Sequence, residues 1–222
     1  MTEVFYTNDA GSKFSNILLY GLAGAGKTPL AASVPNPIII SSEPGLKSLQ
    51  QYKLPYVVAR DYKEAMEAYR WVITTKYESV FFDSISALSE NILIAEKKKS
   101  PDPRKFSPAT LALTIEVVLS YLSIRNKHVI MTCKATEVKD QITGVTTAEP
   151  FAVVPKLGPQ LPYHFDDVLY LSRHRNNETG AEYAALRCRT NDYCMARNRA
   201  GLLDLWEPAD IGHVIRKSNG VV

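Results

Sequence analysis

Short, unbroken apolar runs separated by longer amphipathic stretches set the rhythm of this chain. NILLYG (16–21), PIIISS (37–42), LPYVVA (54–59), ESVFFDS (78–84) and KHVIMT (127–132) are too short for helices and lack polar alternation, so each predicts a strand, buried at 16–21, 78–84 and 127–132. Helical spacing fills the gaps. DYKEAMEAYRWVITT (61–75) places Ala65, Ala68, Tyr69, Val72 and Ile73 on one face. ISALSENILIAEKKK (85–99) is amphipathic, and ATLALTIEVVLSYLSIR (109–125) is apolar over much of its surface. GKTPLAASV (26–34) predicts a further helix, with Pro29 in its first turn, where a missing N–H costs little. Strands alternating with helices predict an α/β domain on a mainly parallel central sheet, with helices on both faces.

Three stretches break that rhythm. SPDPRKFSP (100–108) carries three prolines and predicts a loop. Residues 133–162 are rich in Thr, Gly and Pro without a clear period. They predict a long loop of the kind that is often functional or mobile. DDVLYLSR (166–173), EYAALRCR (182–189) and YCMAR (193–197) predict late strands in an antiparallel hairpin region, with NNETG (176–180) as a turn. PADIGHVIRKS (208–218) predicts a closing helix. Without repeats or a linker, residues 1–222 are expected to form a single domain.

Composition narrows the class only slightly. At 45% hydrophobic and 22% charged, the chain has the balance of a globular protein. No apolar run approaches the ~20 residues that span a bilayer, so no membrane partner is expected. MTEVFYTNDAGSKF (1–14) lacks a basic start followed by an apolar core, which argues against a signal peptide. Cys133, Cys188 and Cys194 are odd in number and lack metal-ligand spacing, so they are expected to be reduced thiols in a cytoplasmic protein. A net charge of +3 permits a nucleic-acid partner without arguing for one.

The chemistry begins at GLAGAGKT (21–28), which fits G-x-x-x-x-G-K-[ST] between an expected strand and an expected helix. A loop free of side-chain bulk lets backbone N–H groups converge on phosphate oxygens, and a helix N-terminus would add partial positive charge. Gly21, Ala23, Gly24, Ala25, Gly26 and Pro29 would frame the phosphates of a bound nucleotide. Lys27 would reach the terminal phosphates, and Thr28 would offer its hydroxyl to Mg²⁺. Asp83, ending SVFFD, is the expected carboxylate of the metal shell; the alternative is a helix N-cap. Glu43, just past the second strand, faces the same crevice in a parallel sheet and is the candidate base for water, or else a loop carboxylate capping the helix near Gly45.

A phosphate loop, then SSEPGLKSL, then FFDS, then HVIMTCK resembles the core of the RecA-like ATPases. With PKLGPQLPYHFDDVLYL (155–171) and YCMARNRAGLLDLWEP (193–208), the chain is similar to phage-encoded P-loop ATPases related to RecA, some of which act in single-strand annealing or recombination. The resemblance runs from about residue 15 to 218. It implies an ATP hydrolase that uses Mg²⁺ and assembles head to tail, as a ring or filament, with ATP at subunit interfaces. It gives Glu43 the water-activating role. It sets Lys134 where such proteins carry a polar sensor, usually glutamine, so that Thr132 remains an alternative. It also implies that Arg197 and Arg199 enter a neighbour's ATP site, where strand alternation would put both on one face; otherwise they form a solvated basic turn.

The same resemblance implies a single-stranded DNA partner, with a single-strand-binding protein as a further expected one. Two segments are candidates for the strand path. EKKKSPDPRKFS (96–107) offers Lys97, Lys98, Lys99, Arg104 and Lys105 beside Phe106, a mix of backbone attraction and stacking. The alternative is the solvated end of a helix. ATEVKDQITGVTTAEPF (135–151) has only Lys139 as a cation. Two other functions remain open: a P-loop kinase for a small metabolite, with the arginines clamping phosphate within one subunit, or a nucleotide-gated loader or clamp with little turnover.

Overall fold

In a computed structural model, which describes residues 13–221, the strands form one sheet in the order β10-β8-β7-β1-β5-β4-β2-β3. These are β1 (Asn16–Gly21), β2 (Pro37–Ser41), β3 (Tyr56–Val58), β4 (Ser79–Asp83), β5 (His128–Lys139), β6 (Thr146–Phe151), β7 (Asp167–Arg175), β8 (Glu182–Arg187), β9 (Arg197–Asn198) and β10 (Trp206–Pro208). From β7 to β3 every neighbour is parallel. β8 and β10 extend the sheet antiparallel, while β6 pairs with β5 and β9 with β7. Residues 1–12, most of the stretch expected to lack a leader, lie outside the described part. Among the described residues no helix is long and apolar enough to cross a membrane.

The unbroken apolar runs follow from burial on both faces. Leu18 and Tyr20 of β1 pack toward α1 (Tyr62–Val72), α2 (Ile85–Lys99) and α3 (Pro103–Leu122). Ile17 and Leu19 point the other way, onto the helix Thr28–Ser33 and α5 (Ile211–Ser218). Cys133, Cys188 and Cys194 are all buried and free.

Four expectations are corrected. The segment after the phosphate loop is a six-residue 3₁₀ helix, Thr28–Ser33, rather than an α-helix. Gly26 at φ 102° cannot join a helix, and Pro35 and Pro37 close the segment soon after Ser33. The proline stretch 100–108 is largely helical. Pro103 begins α3, where its missing N–H is one of the unpaired ones anyway, and the Asp102 carboxylate accepts from the Arg104 N–H at 3.0 Å. Residues 133–162 are not one loop. β5 continues to Lys139 and returns as β6, and α4 (Leu157–Gln160) with a 3₁₀ turn (Leu161–His164) completes the stretch. The strand expected over 193–197 shrinks to β9, Arg197–Asn198.

Two arms project from the sheet edge where the parallel strands end. Lys134 of β5 is in register with Gly21, the last residue of β1, so residues 135–139 and their β6 partners lie beyond the sheet. α3 runs alongside α1 in the same direction: the Tyr62 hydroxyl donates to Glu116 Oε1 (2.9 Å), and Tyr69 Oη lies 3.4 Å from Ser123 Oγ. Residues 103–115 therefore rise past the start of α1 by on the order of 20 Å, at 1.5 Å per residue. α2 rises beside them, and Lys97 Nζ lies 5.1 Å from the Phe106 ring centroid at the tip. Hydrogen bonds join the roots of the arms. Ser86 Oγ accepts from the Lys134 N–H (2.9 Å) and donates to the Phe151 carbonyl (2.7 Å), and Ser89 Oγ accepts from the Val153 N–H (3.3 Å).

Candidate functional site

All three glycines of the phosphate loop are required by the backbone. Gly24 and Gly26 have φ of 76° and 102°, which side chains strain to adopt. A Cβ on Gly21 would come within 2.6 Å of the Leu171 carbonyl oxygen of β7. Between them Ala25 is buried and Ala23 exposed, with Pro29 just beyond in the short helix. Because that helix is so short, an anion here would be held by the loop amides rather than by a helix dipole. Lys27 curls back over the loop, and its Nζ donates to the Gly21 (2.7 Å) and Leu22 (3.0 Å) carbonyls. Desolvation holds the Lys27 pKa below its ordinary value, although Asp83 and Glu43 pull it upward.

Asp83 ends β4, buried, between two hydroxyls. Its Oδ2 accepts from Thr28 Oγ1 at 2.7 Å and its Oδ1 from Thr132 Oγ1 of β5. It is not a helix cap, because α2 is capped by Ser84, whose Oγ accepts from the Ala87 N–H (3.2 Å). Register sets Ser41 of β2 beside Asp83, and Glu43 follows two residues later. Glu43 Oε1 accepts from Ser84 Oγ at 3.3 Å, and the Ser41 hydroxyl holds the Glu43 carbonyl at 2.7 Å. Glu43 does not cap the helix Leu46–Tyr52 either, since that helix starts at Gly45 without a side-chain cap. Thr28, Glu43, Asp83 and Thr132 thus converge beside Lys27. Lys134, one strand from Gly21, is held by Glu90 of α2 at 2.9 and 3.1 Å.

The oxygen set suits a hard divalent cation. Among the described residues no group of three or more His, Cys, Asp or Glu could hold a metal. An ion here would use Thr28 and Asp83 and complete its shell from phosphate and water, the habit of Mg²⁺. Ser84 and Glu90 were missed from sequence. Ser84 shows only as the residue after an expected strand, and Glu90 as an ordinary polar position on a helix; their partners lie 41 and 44 residues away.

Arg197 and Arg199 sit elsewhere. Arg197 is in register with Val168 and Asn198 with Asp167, at the start of β7, and Asp167 lies beside Ile17 at the start of β1. That is four residues, roughly 13 Å, from the phosphate-loop end of the sheet. Arg197 Nη2 donates to the Pro162 and Phe165 carbonyls, both at 2.7 Å. Arg199 Nη1 pairs with Asp166 Oδ1 at 3.1 Å. The expected alternation on one strand does not form, because β9 ends before Arg199.

The basic candidates divide between the two arms. Exposed Lys97, Lys98 and Lys99 form the last turn of α2, and Arg104, Lys105 and Phe106 the first turns of α3. Lys99 pairs with Glu96 (2.5 Å) and Arg104 with Asp102 (3.0 Å), while Lys97 lies over the ring of Phe106. Lys139 ends β5 on the other arm, exposed.

A profile of the AAA domain matches residues 13–200, most of the chain. The chain belongs to the AAA domain family. As a member of that family it is a nucleotide-binding P-loop ATPase, which accounts for the glycine loop, Lys27 and the pairing of Thr28, just after that loop, with Asp83 at the end of β4. No curated protein matches this AAA domain.

Proposed function

We propose that this AAA domain hydrolyses ATP with Mg²⁺ and couples turnover to single-stranded DNA during annealing, recombination or replication, as an assembly of head-to-tail subunits. The observation that carries this is the shared edge. The nucleotide residues and both arms, one of them tipped by Lys97, Lys98, Lys99, Arg104 and Lys105, rise from the same side of the sheet. The loop amides and Lys27 hold the triphosphate. Thr28 and Asp83 would hold Mg²⁺, which would supply charge neutralisation for the phosphates. Glu43 accepts a proton from the attacking water, and Ser84 fixes the carboxylate's orientation. In a head-to-tail stack the base edge of one copy meets the loop edge of the next, and this arrangement supports a role for Arg199, the more exposed arginine, in a neighbour's site. Clamping by Arg197 and Arg199 within one subunit, which a kinase would need, does not fit their distance from the loop.

The test is ATP turnover with and without single-stranded DNA, across protein concentration. Turnover per subunit should rise with concentration and with DNA. Glu43→Gln should bind ATP but hydrolyse it at least ~10²-fold more slowly. Changing Lys97, Lys98 and Lys99 together to Ala should weaken strand binding and flatten its salt dependence, by roughly 0.7 in slope per lost phosphate contact. Turnover indifferent to DNA and to concentration would refute the coupling and the assembly while leaving the ATPase intact.

A further inference from the structure

On the side of β1 away from Asp83 and Glu43, a cavity of about 530 Å³ opens between the phosphate loop and the outer strands. A triphosphate whose terminal end meets Asp83 and Glu43 must send its nucleoside in the other direction, across β7, β8 and β10. Register sets Tyr170, Arg187 and Trp206 in one row across those strands, continuing from Tyr20 of β1. Trp206 is 37% exposed, with the His174 ring edge-on at 4.7 Å and the Arg187 guanidinium 5.1 Å from its centroid. No Asp or Glu lines the cavity. Several polar groups along its wall are engaged already. Ser172 Oγ lies 2.8 Å from His174 Nε2, and the Tyr193 hydroxyl donates to Glu137 (2.6 Å). Asn191 Oδ1 accepts from the Tyr193 (3.2 Å) and Cys194 (2.8 Å) N–H groups.

We propose that this cavity takes the purine of the bound nucleotide by its face, stacked at Trp206 with Arg187 nearby, and that the site therefore accepts ATP and GTP alike. The inference rests on triphosphate binding at the Lys27 loop. A stacking platform holds any purine, because each has a π-face, whereas adenine and guanine differ only at hydrogen-bonding edges. A site without a carboxylate facing the base lacks the paired acceptor that would single out the guanine N–H groups, and it has no reason to exclude adenine.

Direct binding of ATP, GTP and inorganic tripolyphosphate to the full chain, by calorimetry with Mg²⁺, tests it. Wild type should bind ATP and GTP within about tenfold of each other. Trp206→Ala should weaken both by about 5- to 100-fold, the scale of one lost stacking partner, and leave tripolyphosphate affinity unchanged; Trp206→Phe should recover most of the loss. Lys27→Ala should weaken all three. Unchanged ATP affinity in Trp206→Ala, or a preference above a hundredfold between ATP and GTP, overturns the stacked site while the phosphate loop stands. If wild type binds none of the three, the loop assignment falls and this one falls with it.

Discussion

Replacing Thr132 by Val tests whether the Asp83 carboxylate is held by its two hydroxyl neighbours. Thr132 is fully buried, and its hydroxyl donates to Asp83 Oδ1 while Thr28 serves Oδ2. Valine keeps the shape, so no cavity opens and the loss is that of one hydrogen bond to a buried charge. Such bonds contribute about 1.5–3 kcal/mol. Taking about 2 kcal/mol, the melting temperature of a chain this size should fall by roughly 4–8 °C. Thr132→Ser is the control: it keeps the donor and loses a methyl group, worth about 0.8 kcal/mol. Thermal and urea unfolding without nucleotide should rank wild type above Ser and Ser above Val. A Val variant as stable as the Ser variant would refute the reasoning, and Asp83 would then owe its position to the strand alone.

Lys27→Ala should abolish ATP turnover with little change in stability, since Lys27 bonds only to loop carbonyls; wild-type turnover in a folded variant would exclude this loop as the active site. His128 is buried, its pKa is lowered chiefly by desolvation, and its Nδ1 accepts from the Ser15 N–H at 3.1 Å. A depressed pKa means that the stability from neutral His128 is present above the unfolded value near 6.5 and is lost as pH falls below it. Between pH 7.5 and 5.5 wild type should therefore lose more stability than His128→Gln, and equal slopes would count against this. Arg197→Ala, which strands the Pro162 carbonyl and leaves Phe165 only a long bond from Arg199 (3.5 Å), should destabilise by about 1.5–3 kcal/mol; Arg199→Ala, which breaks an exposed pair and that long bond, should stay within about 1 kcal/mol, and equal losses by urea unfolding would refute the distinction.

The parallel core was readable because burial on both faces turns its strands into apolar runs, as at NILLYG and SVFFD. The phosphate loop was readable because it is local: Gly24 and Gly26 take backbone conformations that mark the sequence itself. Where local signals compete, sequence misled. Prolines in 100–108 looked like breakers, yet Pro103 needs no hydrogen-bond partner as the first residue of a helix. The β5–β6 hairpin escaped notice because the buried face of β6 carries only Ala148 and Pro150, which are too weakly apolar to mark a strand. β10 escaped as well, its three residues showing only when paired with β8. The arginines illustrate a further limit. RNR shows that two cations lie close together, but which end of the sheet receives them depends on β9 meeting the start of β7.

The stitching at the roots of the two arms has a mechanical consequence. Ser86 bonds to β5 and to β6 at once, Ser89 holds the segment after β6, and Glu90 grips Lys134. Helical arm and hairpin arm are therefore tines of one fork. Their spacing at the root is set when the chain folds, and neither tine can swing there without breaking its neighbour's bonds. A strand bound as proposed above would meet arms of fixed spacing, not a closing jaw. In the head-to-tail assembly proposed above, grip and release would then come from moving whole forks relative to one another, subunit against subunit.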